Sequence, residues 1–288
     1  MNQPLKGLIS VIVTTYNRED ALAAVLRSLA RQTDRDFEVI VADDGSAPAT
    51  GALVNEWKAK AGHRVEHVWH EDKGFRAGEI RNRAVLASRG EYVVFLDGDC
   101  IARADFVARH RGLAEAGAFV TGNRILLSPA LTERVLRDGL EPEAWSLTRF
   151  VAERFRGGVN RISALLNLPL GPLRQIRARQ WRGARSCNLA IWRRDFDTVD
   201  GFDADYEGWG KEDSDLIVRL LHAGIVRKDG NFATGVVHLW HREADRSALA
   251  DNERKLAHLL TGRDVRARHG MSALRVKPMT PVTEPVQP

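Results

Sequence analysis

The chain has little of several things. Its 288 residues include two cysteines, Cys100 and Cys187, three methionines and three tyrosines. Two cysteines cannot staple a small secreted scaffold, so the expectation is two reduced thiols. No apolar run approaches the ~18 residues that a membrane-crossing helix needs. Met1 to Ser10 lacks the pattern of a cleavable leader and runs into a strand-like segment, which sets a cytoplasmic location as the expectation. There is no internal repeat. What is present, 44% hydrophobic and 28% charged residues, suits a full globular core.

Charge is unevenly placed. The net charge is +5, and eleven arginines lie between Arg149 and Arg194, where Glu153 is the only acidic residue. Such a stretch suits anionic lipid, a phosphorylated glycan or nucleic acid. Aromatics are scarce within it and no nucleic-acid module is visible, so no nucleic-acid partner is expected. The expectation kept is peripheral contact with an anionic membrane surface.

The first 125 residues alternate in type. Leu8–Thr14, Phe37–Val41, Val65–Trp69 and Tyr92–Leu96 read as strands, the first too continuously apolar to be half exposed. Between them lie helical patterns, one with Leu22, Val25, Leu26 and Leu29 on a single face and one from about Arg76 to Ser88. This βαβαβαβ rhythm predicts an α/β fold, with a mostly parallel Rossmann-like sheet flanked by helices. Ligands of such sheets bind beyond the carboxyl ends of the strands. Thr14-Thr15, Asp43-Asp44 and Asp97-Gly98-Asp99 fall there, so these polar residues are expected on one edge.

Later segments are harder to read. An amphipathic helix is expected from Phe150 to Leu166 despite Gly157-Gly158. Strands are expected at Asn188–Trp192 and Ala233–Leu239, a polar turn over Asp203–Asp215, and helices at Leu216–His222 and about Ala248 to Leu260. The tail from Lys277, with four prolines in its last twelve residues, reads as disordered. The expected organisation is a half at 1–125, a second half of the same domain at 126–262, with a smaller subdomain beside the main sheet, and a tail at 263–288.

Three groups carry chemistry. Asp97-Gly98-Asp99 sets two carboxylates on a tight turn after a buried strand, hard oxygen ligands of the kind that hold Mg²⁺ or Mn²⁺. In Gly208-Trp209-Gly210-Lys211-Glu212-Asp213-Ser214-Asp215, capping by Asp213 or Ser214 accounts for one or two acidic groups. It does not account for the Gly-Trp-Gly before them, where an indole offers a face for a sugar ring and a neighbouring carboxylate suits a general base. His238 and His241 lie at the end of a strand. His238 is the expected partner of Asp99 on one ion, with His241 as the alternative and no role shared between them.

Taken in order, SVIVTTYNRE, VIVADDGS, DKGFRAGEIRNRAV, GEYVVFLDGD and CNLAIWRRDF resemble the family 2 inverting nucleotide-sugar glycosyltransferases of GT-A fold. GWGKEDSD is similar to the GWGxED segment of β-1,4-galactosyltransferases, polypeptide N-acetylgalactosaminyltransferases and bacterial chondroitin polymerases. The resemblance runs from about Leu8 to Leu260 and leaves the arginine-rich stretch unmatched. It implies a UDP-sugar donor, a glycan or glycolipid acceptor in surface polysaccharide or lipopolysaccharide assembly, and Mn²⁺ or Mg²⁺. It further implies that Thr14 and Tyr16 line the nucleotide pocket. Asp44 would bind uracil with Arg81 beside it, and Asp97 would contact ribose or metal. Asp99 and His238 would hold the metal, Trp209 and Glu212 the acceptor, and Asp213 would be the base. The alternative is an inactive GT-A-fold scaffold that meets an anionic polymer or membrane through its arginines.

Overall fold

The computed structural model describes residues 5–276. In chain order the strands are β1 (Ile9–Thr15), β2 (Phe37–Asp43), β3 (Val65–Trp69), β4 (Tyr92–Asp97), β5 (Cys100–Ala102), β6 (Ala118–Thr121), β7 (Arg124–Leu126), β8 (Asn188–Trp192), β9 (Val226–Asp229) and β10 (Val236–His238). The helices are α1 (Glu19–Ala30), α2 (Pro48–Lys60), α3 (Ala77–Ala87), α4 (Phe106–Leu113), α5 (Pro129–Arg137), α6 (Leu147–Phe155), α7 (Arg193–Thr198), α8 (Glu212–His222), α9 (Leu249–Thr261) and α10 (Met271–Val276).

Seven strands form one sheet in the order β3-β2-β1-β4-β8-β6-β9. The four anticipated N-terminal strands pair in parallel, while β8 runs antiparallel between β4 and β6. Alternate residues serve the two faces. Val11, Val13, Val39, Val41, Val94 and Leu96 pack with Leu22, Val25, Leu26 and Leu29 of α1. Ile12, Ile40, Val93 and Phe95 pack with Ile80 and Val85 of α3 and Leu216 and Leu220 of α8.

β1 lies between β2 and β4, so the chain order of the sheet reverses there, the place where open α/β sheets take ligands. Thr14 is in register with Asp97, and Thr15 with Asp43. The strand-end polar residues share one edge, as expected. A second sheet, β5-β10-β7, hangs on that edge and pairs His238 with Cys100 and with Leu126.

The structure departs from expectation in the second half. The helix expected to Leu166 ends at Phe155, because Gly157 is left-handed (φ 73°) and the chain returns to bridge Leu127 with Val159. The strand expected over 233–239 contracts to Val236–His238, and α8 begins inside the expected turn, at Glu212. Residues 263–276 are not a loose tail. Met271 is 1% exposed, and Ser272 donates its backbone N–H and its hydroxyl to Asp200. The expected disorder from Lys277 lies outside the described residues. The boundary near 125 does not divide the sheet, since β8 sits between β4 and β6.

Part of the arginine stretch is internal stitching. Arg174 is buried and donates to the carbonyls of Leu168, Asp229 and Asn231. Arg177 pairs with Asp229. Arg193 donates to the carbonyls of Val85 and Gly90 and to the Ser88 hydroxyl. Cys100 and Cys187 are buried free thiols.

Candidate active site

Arg81 organises the edge. α3 delivers it beneath the ends of β1 and β4, where it is 4% exposed. Its Nε donates to Thr14 Oγ1 at 2.9 Å, Nη2 to Asp97 Oδ1 at 3.1 Å and Nη1 to Glu212 Oε1 at 3.3 Å. One planar fork therefore joins β1, β4 and α8.

No hydrogen bond or ion pair joins Arg81 to Asp44 among the described residues. Asp44 is held by other groups: its Oδ2 accepts the Arg76 backbone N–H at 2.9 Å and its Oδ1 lies 2.7 Å from His70 Nε2. Asp43 beside it accepts from the Ser46 backbone N–H and contacts His67. Each carboxylate oxygen of Asp44 keeps a further lone pair for a ligand. Tyr16 stands exposed above β1 and donates its hydroxyl to Asp72 at 2.8 Å. Sequence reasoning missed His67 and His70. The signal was their place on β3 and just after it: His70 follows Trp69, which is level with the end of β2 at Asp43, and His67 lies two residues before Trp69.

Gly98 is required by close approach. Its N–H bonds to Thr14 O at 2.7 Å, and an added Cβ would lie 2.8 Å from that same oxygen. The turn carries Asp99 to the small sheet, where Leu239 N–H donates to the Asp99 carbonyl. Asp99 Oδ1 lies 3.6 Å from His238 Nε2 and Oδ2 lies 3.3 Å from His241 Nε2. Both histidines thus face one carboxylate, with ring centroids 5.2 Å apart. The expectation that they do separate work is corrected, because the chain bends after β10 and brings His241 back. Burial, reinforced by the charge of Asp97, raises the Asp99 carboxyl, and burial lowers His238. The Cys100 thiol lies 3.5 Å from Asp99 Oδ1 and is pushed well up by burial and by that carboxylate.

The approach to α8 turns through left-handed backbone, which glycine adopts freely. Gly208 (φ 71°), Gly210 (φ 109°) and Lys211 (φ 75°) are all left-handed, and Lys211, not Asp213 or Ser214, holds the N-cap position. These turns leave Glu212 and Asp213 in the first helical turn, near its positive end. Glu212 accepts from Arg81; burial and the charge of Asp213 raise its carboxyl. Asp213 Oδ1 accepts the Ser214 N–H at 2.6 Å. Burial raises Asp213 too, opposed by Arg81, by Arg185 and by backbone N–H groups of Ser214 and Ser186. Asp215 is structural, paired with buried Arg219. Trp209 is 37% exposed with the Arg246 guanidinium 4.9 Å from its ring centre. Trp240, 43% exposed between the two histidines, was not anticipated.

Two clusters result. Thr14, Arg81, Asp97, Glu212 and Asp213 form the first. Asp99, His238 and His241 form the second, with Asp99 two residues beyond Asp97. Asp44 and Tyr16 flank them at the ends of β2 and β1.

Comparison with known proteins gives the family and the fold. The model for glycosyl transferase family 2 matches residues 10–163, and the one described as N-terminal domain of galactosyltransferase matches residues 176–241. The chain belongs to glycosyl transferase family 2. It is 32% identical over 239 residues to validoxylamine A glucosyltransferase of Streptomyces hygroscopicus subsp. limoneus, covering 76% of this chain and 49% of that one. It is 27% identical over 246 residues to chondroitin synthase of Escherichia coli, covering 77% and 34%. The chain thus spans about half, or less, of the length of these curated relatives. The fold is GT-A. It superposes on a mannosyltransferase from Pyrobaculum calidifontis in complex with GDP-Man and Mn²⁺ with TM-score 0.56 and 18% identity, over 94% of this chain and 65% of the other. Residues 1–349 of TarS from S. aureus in complex with UDP give TM-score 0.55 and 18% identity, over 91% and 68%. Among the described residues no helix is long and apolar enough to cross a membrane.

Proposed function

We propose that the chain transfers a sugar from a UDP-sugar to a hydroxyl of a glycan or glycolipid acceptor, with inversion, in the assembly of surface polysaccharide or lipopolysaccharide. The observation that carries this is the pair Glu212–Asp213, set at the start of α8 against Arg81 and the end of β4. Support for the substrate class comes from relatives named for glucosyl transfer and chondroitin synthesis and from the neighbour bound to UDP.

In this reading Thr14, Tyr16 and Asp44 receive the nucleotide at the ends of β1 and β2, and Asp97 meets the ribose side. Trp209 stacks an acceptor ring and Glu212 accepts from its hydroxyls. Asp213 takes the proton of the attacking hydroxyl as the oxygen displaces the diphosphate in one step. One base and one stabilised leaving group suffice, so the anomeric configuration inverts.

The residues at Asp99 fit a divalent cation. A half-buried carboxylate and two imidazoles converge without a short hydrogen bond among them, at 3.3 and 3.6 Å. Asp99, His238 and His241 are the residues that would hold Mn²⁺ or Mg²⁺, whose chemistry when bound is to neutralise charge on a departing diphosphate. Two nitrogen donors favour Mn²⁺ over Mg²⁺.

Asp213→Asn keeps shape and removes the base. Turnover of a UDP-sugar should fall at least a thousandfold, with UDP affinity in Mn²⁺ changed less than threefold. Residual turnover within tenfold of wild type would take the base role from Asp213.

A further inference from the structure

Thirteen large apolar side chains are exposed among the described residues, and six of them lie within 147–176: Leu147, Phe155, Leu166, Leu168, Leu173 and Ile176. Phe155 at 88% and Ile176 at 77% are the two most exposed of the thirteen. On α6 the spacing i, i+4, i+8 puts Leu147, Val151 and Phe155 on one stripe, while Phe150 and Glu153 are buried. The same stretch is cationic. From residue 154 to 194 there are ten arginines and no aspartate or glutamate, and Arg154, Arg161, Arg179 and Arg182 are exposed.

A solvated face explains the arginines and leaves the aliphatic groups unexplained, since concentrated exposed apolar surface marks an interaction site. Single-stranded nucleic acid wants aromatic platforms for its bases, and leucine and isoleucine offer none. An anionic bilayer uses both components. Aliphatic and phenyl groups enter the boundary between headgroups and acyl chains, while guanidinium groups meet lipid phosphates.

Position adds a reason. Asn160 is stitched to Leu126 twice, its N–H to the Leu126 carbonyl at 3.1 Å and its Oδ1 to the Leu126 N–H at 2.9 Å. Leu126 is in register with His238. Ala164 O packs so closely on Gly235 that a Cβ there would lie 2.2 Å away. The segment is therefore fastened to the strand that carries His238, a strand spacing or two from Asp99.

We infer that residues 147–182 are a docking surface for an anionic lipid bilayer, placed so that the Asp99–His238 edge opens beside the lipid headgroups. That a lipid-borne acceptor is what the site then receives rests on the transfer reading above; the docking itself does not.

The test is co-sedimentation of the full chain with vesicles of phosphatidylcholine alone and of phosphatidylcholine mixed with phosphatidylglycerol. Wild type should bind the anionic vesicles at least tenfold more tightly, and less tightly as salt rises. Phe155→Ser with Ile176→Ser should lose at least tenfold on anionic vesicles. Arg154→Gln with Arg179→Gln and Arg182→Gln should lose on the order of a hundredfold, about fivefold per arginine. All five positions are exposed, so UDP binding in Mn²⁺ should be unchanged and reports an intact fold. The proposal is overturned by equal binding of wild type to both vesicle types, or by none. It is equally overturned by variants that bind like wild type. Tighter binding to single-stranded RNA, or a dimer in sedimentation lost in Phe155→Ser, would assign the surface to those occupants instead. If wild type binds anionic vesicles but not UDP, the transfer reading fails and the docking stands.

Discussion

Arg81 Nη1 meets Glu212 Oε1 at 3.3 Å, across 131 residues of sequence. The contact ties α3 to the first turn of α8, and the same guanidinium holds Thr14 and Asp97. Residues from β1, β4 and α8 are thereby joined through one buried cation.

Arg81→Met should remove that junction. Loss of one partner leaves Glu212 buried without its cation, a change that costs about 3–5 kcal/mol in buried pairs. Turnover should fall at least a hundredfold and chemical denaturation should show the lost stability. Arg81→Lys keeps the charge without the fork and should recover stability more than turnover. An active, fully stable Arg81→Met variant would contradict the hub.

The pH dependence of turnover follows from Asp213. A base works deprotonated, and burial raises the carboxyls of Asp213 and Glu212. The acid limb of kcat/KM should therefore lie above the ordinary aspartate value of ~3.9, with activity rising as pH rises through it. Removing the Arg81 charge should move that limb further up, because Arg81 opposes the shift. A limb at or below the ordinary value would contradict the burial of the pair.

Both histidines face Asp99, so both should matter for Mn²⁺. His238→Ala and His241→Ala should each weaken Mn²⁺ binding, measured by titration calorimetry, and Asp99→Asn should weaken it most. EDTA should abolish turnover, with Mn²⁺ restoring it better than Mg²⁺. Unchanged Mn²⁺ affinity in His241→Ala would return the site to the simpler Asp99–His238 pair.

His110 is fully buried in α4, 3.1 Å from Asn188 Oδ1, and burial lowers it to about 4. The unfolded chain protonates this ring near pH 6.5, the folded chain only near 4. Its contribution is thus present above about pH 6.5 and is lost as pH falls to about 4, on the order of 3 kcal/mol. His110→Gln should flatten stability against pH in that window. An unaltered slope would mean that the ring is solvated.

Arg174→Gln should destabilise the fold by about 2–4 kcal/mol, because three carbonyls lose a charged donor. Arg179→Gln should stay within about 0.5 kcal/mol, as exposed substitutions do. Equal effects would place both on the surface.

The four N-terminal strands, their parallel pairing and the edge at Thr14, Asp43, Asp97 and Asp99 were legible because they rest on local signals: unbroken apolar runs, helical periodicity and polar residues where each run stops. GWGKEDSD was legible for the same reason, two glycines and three acids in eight residues. The partners of these residues were not. Arg81 was placed near Asp44 only by the family resemblance, and its bond to Glu212, 131 residues on, follows from tertiary packing that no local pattern shows. His241 looked detached because a strand period says nothing about the bend after it. Arg174 looked like surface charge because composition cannot tell a solvated guanidinium from one that satisfies buried carbonyls. β5, β7 and β9, three or four residues each, carry too little pattern to announce themselves and form because neighbouring strands offer open edges. Local chemistry along the chain determined which groups stand at the ligand edge; long-range packing decided which of them touch, which are buried and which face out.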